Sequence, residues 1–174
     1  MQSARMSTDS SSPRSNLNAM NSNHPLAHDI SWMLGRVWLG FGEVRTRALE
    51  PFGLSVRDYV VLKAIQAEGG SQIDLANLTK IDKSTFAVTA DGLESRGLIE
   101  RRPNPGDRRS KLLTLSRVGD EVLAHASHAV TAADNTVWES VEHVDIERFS
   151  AVLQALSLDT FESFPAFSVR RFHG

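Results

Sequence analysis

A mainly α-helical fold carrying one β-hairpin is the fold class this sequence predicts, and three observations predict it. Apolar residues recur at three- and four-residue steps over most of residues 26–157. Ser55, Ser71 and Ser116 each stand where such a pattern begins, as helix N-caps do. The stretch RRPNPGDRRSKLLTLS, residues 101–116, abandons that period for a Pro/Asn/Gly turn between two short runs.

Composition sets the outer bounds. A chain of 174 residues, 41% hydrophobic and 23% charged, is long enough for one soluble globular domain with a sizeable core. No run of about 18 apolar residues occurs, so no membrane span is expected. The start, MQSARMSTDSSSPRSNLNAMNSN, lacks the apolar core of a secretory signal, and Met6 and Met20 leave the natural start of translation open. With no cysteine there is no disulfide framework, thiolate metal site or cysteine redox sensor. A cytoplasmic location fits these features.

Taken in order, residues 1–25 are rich in Ser and Asn and read as a disordered tail, because so few apolar side chains cannot offset the entropy of ordering. From Leu26 to Leu49 a first helix is predicted, with Ile30, Met33, Leu34, Val37, Phe41, Val44 and Leu49 on its stripe. Gly35, Gly40 and Gly42 weaken it or allow another helix to approach closely. EPFGL ends it, since Pro51 has no amide hydrogen and Gly53 tolerates a tight turn. A second helix runs from Ser55 to Gly69-Gly70 with Tyr59, Leu62 and Ile65 turned inward. Ser71 caps a short third helix, QIDLANLTK, whose inward residues are expected to be Ile73, Leu75, Ala76 and Leu78. After the IDK link, STFAVTADGLESRG buries Phe86, Ala90 and Leu93 and stops at Gly97. Two short helices joined by a tight turn make a helix-turn-helix.

LIERR and SKLLTLS then flank PNPGDR as a two-stranded wing. Ser116 caps a fifth helix with a stripe of Val118, Val122, Ala126, Ala129, Ala133, Val137 and Val141. Beyond Val144-Asp145 a sixth helix, IERFSAVLQALS, carries Phe149, Val152, Leu153 and Leu156, and residues 161–174 form a C-terminal tail. The order is that of a winged helix-turn-helix flanked by long helices.

The charge is distributed unevenly. Formal net charge is only −2, yet residues 96–117 hold seven Lys/Arg against Glu100 and Asp107. Residues 118–162 hold nine Asp/Glu against Arg148 alone. One face is therefore suited to an anion while another is kept away from it.

Within this order, DKST at 82–85, DGLESRGLIER at 91–101, DRR at 107–109 and LTLSRVG at 113–119 resemble the MarR family of bacterial transcriptional regulators, over roughly residues 28–157. The resemblance implies a homodimer whose first, fifth and sixth helices interlock while each subunit offers a winged helix-turn-helix to duplex DNA. It divides the chain into a first dimerisation helix (26–51), a DNA-binding lobe (52–115) and C-terminal dimerisation helices (116–160).

Arginines at a hairpin tip can enter a narrow minor groove, where negative potential is concentrated. The resemblance places that role on Arg109, and Asp107 is positioned to brace its guanidinium through a fork-like ion pair. Arg101, Arg102, Arg108 and Lys111 are expected on phosphates. On the recognition helix, Lys83, Ser84, Thr85, Ala87 and Val88 share the outward side of the first turns. The family's usual Thr-Arg pair is here Ala87-Val88, and a frequent basic residue is Gly92. Val88 cannot offer bidentate readout of guanine, but Ala87 or Val88 methyls can meet thymine methyls. Ser84 and Thr85 can instead serve as caps.

The resemblance also implies an apolar pocket for a small aromatic or phenolic ligand. Its candidates are His28, Trp32, Arg36, Trp38, Phe41, Phe52 and Tyr59, although an aromatic stripe at helical spacing also serves as core. HASH sets His125 and His128 at i, i+3, a spacing that could pair on a metal, but nothing nearby in sequence completes a ligand set. No nucleophile–base arrangement is legible, so no enzyme, metal or cofactor is expected. The expected function is a homodimeric, ligand-responsive repressor that binds a double-stranded, pseudo-palindromic operator. The alternative is a helical dimeric module for small molecules or proteins with weakened DNA recognition, motivated by Ala87, Val88 and Gly92.

Overall fold

The computed structural model describes residues 25–107, 109–141 and 145–156. The expected N- and C-terminal tails lie outside the described residues, apart from Pro25. The chain divides into two compact units, Met1–Val44 and Arg45–Gly174.

In the first unit a 3₁₀ turn, Pro25–His28, precedes helix α1, Ile30–Leu49. The helix thus begins four residues later than its apolar pattern suggested. Asp29 sets that start, because its carboxylate accepts the Trp32 amide at 2.9 Å, as an N-cap does. The last residues of α1, from Arg45 onward, belong to the second unit.

The second unit holds the core. A 3₁₀ turn at Glu50–Phe52 with Pro51 in its first turn closes on Gly53 at φ 62°, a left-handed conformation that glycine adopts without strain. Ser55 and Asp58 form a reciprocal capping box at the start of α2, Val56–Ala67. Strand β1, Gly70–Ser71, leads into α3, Gln72–Thr79, capped by Ser71. Lys80 at φ 55° ends α3, and Asp82 caps α4, Lys83–Ser95, through the Ser84 and Thr85 amides. Gly97 at φ 69° turns the chain into β2, Ile99–Pro103, followed by β3, Lys111–Leu115. Then come α5, Arg117–Glu139, and α6, Ile146–Gln154.

Helix-turn-helix and wing are where the sequence put them, and a third strand joins the wing. The antiparallel order is β1-β3-β2, with Gly70 opposite Leu113 and Arg101 opposite the same residue on the other side. The core unites Leu49, Leu62, Phe86, Leu93, Ile99, Leu113 and Leu123, all 2% exposed or less. Phe86, Ala90 and Leu93 are buried as the α4 stripe requires.

Two expected stripes are corrected. On α3 only Leu75 and Ala76 are buried, whereas Ile73 is 58% and Leu78 47% exposed. A two-turn helix has too narrow a buried face to hide four apolar residues. On α5 the buried residues are Gly119, Leu123, Ala126 and Val130, while Val118 and Val141 of the expected stripe are exposed. The register is set at Gly119, where a Cβ would overlap the Leu98 carbonyl oxygen and lie 2.8 Å from its carbon. Only glycine lets α5 approach that closely. The contact is reinforced by the Ser116 amide, which donates to Leu98 O at 3.0 Å, and by the Ser116 hydroxyl, which donates to Gly97 O at 2.6 Å.

Farther along, Arg45 at the end of α1 donates Nη2 to Asp134 Oδ2 of α5 at 2.7 Å and Nε to Oδ1 at 3.0 Å. The hydrogen bond to Asp134 raises the Arg45 pKa further above its already high ordinary value, with burial opposing it.

Candidate nucleic-acid interface

The outward face of α4 follows from what its inward face buries. With Phe86, Ala90 and Leu93 in the core, Lys83, Ser84, Val88, Asp91, Gly92 and Ser95 are exposed, and Thr85 and Ala87 are half-buried. The Ser84 hydroxyl is engaged by the Asp82 carboxylate, which also accepts the Ser84 amide at 3.1 Å and the Thr85 amide at 3.3 Å. Both residues thus belong to the cap. Val88, 72% exposed, is the apolar projection in the middle of this face.

The wing tip is knitted by its own polar side chains. Asn104 Oδ1 accepts the Gly106 amide at 2.9 Å, and Asn104 Nδ2 donates to Ser110 Oγ at 2.9 Å. Asp107 Oδ1 accepts the backbone amide of Arg109 at 2.9 Å. Asp107 therefore shapes the turn by bonding main chain, where the sequence suggested a fork-like pair with the Arg109 guanidinium. Arg109 and Lys111 are exposed, and Arg108 lies outside the described residues. Arg102 is exposed and pairs with Glu100 at 3.0 Å on its own strand.

Arg101, expected on phosphates, is engaged by acidic side chains of its own chain. Strand alternation puts it on the same side as Ile99, toward the helices, and its side chain is 18% exposed. Its Nη1 bonds Glu94, while Nη2 lies 2.5 Å from Asp91 Oδ1 and 3.4 Å from Gln72 Oε1. The legible signal was the period of two in LIERR together with acids three residues apart on α4. Arg96, not singled out in the sequence, likewise reaches α2: Nη1 donates to Gly53 O at 2.7 Å, and Nη2 lies 3.2 Å from Asp58.

A cleft of about 380 Å³ lies between the start of α3 and the wing, and Arg101, Arg109 and Lys111 line it with Ser71, Gln72 and Ile73. Three of the expected wing cations thus share one depression.

The expected ligand-pocket residues fall in both units. In the first, the Arg36 guanidinium lies 5.8 Å from the Trp32 ring centroid, one helical turn along α1. Trp38 is 71% exposed, His28 is exposed and Phe41 is half-buried. In the second, Phe52 packs against the core, and the Tyr59 hydroxyl lies 3.5 Å from Ser127 Oγ. His125 Nδ1 lies 2.8 Å from the Glu121 carbonyl oxygen, and among the described residues no group of three His, Asp or Glu is arranged to hold a metal ion.

The sequence profile of the MarR family matches residues 52–110. The chain is similar to a crystal structure of a transcriptional regulator (MarR family) from Rhodococcus sp. RHA1, at 33% identity and TM-score 0.71, covering 78% of this chain and 96% of that one. It is similar to CouR from Rhodococcus jostii RHA1 bound to p-coumaroyl-CoA, at 34% identity and TM-score 0.69, with 78% and 96% covered. The transcriptional repressor CouR bound to a 23-mer DNA duplex matches at 29% identity and TM-score 0.64, covering 73% and 89%.

Proposed function

Because the chain belongs to the MarR family, we propose that it is a homodimeric, sequence-specific repressor whose grip on a pseudo-palindromic operator is loosened by a small aromatic ligand. The observation that carries this reading is the pairing of an outward α4 face, with Lys83 and Val88 exposed, and a wing that exposes Arg109 and Lys111. A helix of this size fits the major groove, and the wing arginine fits the adjacent minor groove. The exposed apolar residues of α6, among them Phe149, Val152 and Leu153, support a second copy as their cover. Two recognition helices in successive major grooves imply half-sites about 10 bp apart.

For base readout, α4 offers a methyl-rich surface at Ala87 and Val88 rather than a guanidinium, which favours thymine methyls at the contacted positions. For the ligand, the similarity to CouR favours an aromatic acid or its coenzyme A thioester.

The test is a titration of the purified protein onto the intergenic DNA beside its own reading frame, with nonspecific competitor and footprinting. A protected palindrome that survives competitor, and is released by p-coumaroyl-CoA or by p-coumarate, is the expected result. A shift abolished by competitor would favour the second reading, a helical ligand- or protein-binding module, which the uncharged Ala87-Val88-Gly92 face motivates.

A further inference from the structure

We propose that Arg101 is a positioning residue that sets the angle between wing and recognition helix, and that Asp91 and Glu94 serve DNA binding only by holding it. The proposal rests on the reading of α4 and the wing as the DNA-binding elements. One guanidinium joins three elements: Arg101 projects from β2, bonds Glu94, meets Asp91 Oδ1 at 2.5 Å on α4, and reaches Gln72 Oε1 at 3.4 Å on α3. Asp91 and Glu94 stand three residues apart and so share one side of the helix, where a planar fork engages both. At 18% exposure its side chain is well withdrawn from solvent, whereas the neighbouring Arg102 side chain, on the opposite face of the strand, is 64% exposed and pairs only within β2.

The charge count gives the idea its edge. Two carboxylates on one cation leave a formal negative charge in excess beside the surface that would meet a polyanion. By long-range electrostatics alone, these acids oppose DNA binding, and neutralising them should strengthen it. As a clamp, they make the opposite prediction. Ile99 and Leu113 fix the root of the wing to α4 through the shared apolar core, and Arg101 adds to that non-directional packing the hydrogen bonds that tie β2 sideways to the helix.

The experiment uses the full chain and a duplex that the wild-type protein itself selects from a random pool. Affinity is measured across a range of KCl for wild type, the double variant Asp91→Asn/Glu94→Gln, Arg101→Gln and Arg101→Lys, with circular dichroism confirming folded protein at the assay temperature. The double variant is expected to bind about tenfold more weakly, the order set by losing charge-assisted hydrogen bonds, despite removal of two negative charges. Binding that is unchanged or tighter would overturn the proposal. Arg101→Gln is expected to weaken binding with the salt slope unchanged, and Arg101→Lys, which keeps the charge and loses the fork, to weaken it similarly. A salt slope smaller by about one for Arg101→Gln would identify a lost phosphate contact and likewise overturn it. If Arg101→Gln fails to fold, the double variant still decides the matter. If the wild type selects no sequence at all, the DNA-binding reading fails first and this proposal with it.

Discussion

Gly92 and Gly119 both lack a side chain inside a helix, and replacing each one probes different physics. At Gly119 an added Cβ would overlap the Leu98 carbonyl oxygen, so Gly119→Ala is expected to cost about 2–3 kcal/mol, read as a fall in the urea midpoint. Gly92 is exposed, with nothing within 4 Å of where its Cβ would stand. Gly92→Ala should therefore raise stability by about 1 kcal/mol, the helix-propensity difference, in the same assay. Arg109 is judged by a different readout. Arg109→Ala should stay folded and bind the operator roughly tenfold more weakly, about 1.4 kcal/mol, and normal binding would remove Arg109 from the interface. Of these residues the sequence singled out Arg109 by its place in the DRR motif that follows the wing turn, and Gly119 only as part of a motif. The reason for Gly119 is a main-chain oxygen 21 positions earlier, which no local pattern displays.

Among the elements, legibility followed length and the number of faces an element must satisfy. The α4 stripe was readable because a single apolar face recurs over 13 residues. On α3, eight residues hold apolar side chains on two sides, and periodicity does not say which pair is buried. Strand β1 is two residues, Gly70-Ser71, and carries no alternation to read. Helix α5 carries two apolar stripes, and only the close approach at Leu98 selects Gly119, Leu123, Ala126 and Val130 for this chain's own core. Leu123→Ala should cost about 2–5 kcal/mol, whereas Val118→Ala, on the exposed stripe, should leave monomer stability within about 0.5 kcal/mol in chemical denaturation. The Arg45–Asp134 pair adds a polar tie between the end of α1 and α5. Asp134→Ala removes a bidentate partner of a partly buried guanidinium and should cost about 1–3 kcal/mol.

At the scale of the whole molecule, a net charge of −2 averages over a basic stretch at 96–117 and an acidic one at 118–162. Operator affinity should accordingly fall steeply with salt, despite a formally acidic chain. Phe149, Val152, Leu153 and Leu156 stay exposed on α6 and its C-terminal end, a segment the sequence could assign to an interface only by resemblance, because burial by a second copy leaves the same pattern as burial within one. Sedimentation should give about twice the 19.2 kDa chain mass. Leu153→Glu should shift the mass toward the single chain and weaken operator binding well beyond tenfold, since two half-sites then no longer act together. The joint at Leu98 has a mechanical meaning as well. Its carbonyl oxygen receives the Ser116 amide and faces the bare backbone of Gly119, while the Ser116 hydroxyl holds Gly97. These contacts act like meshed gear teeth, so α5 cannot slide along its axis without dragging the root of the wing. The teeth are amides, carbonyls and one hydroxyl, so the joint itself does not depend on which large side chains α5 carries farther along.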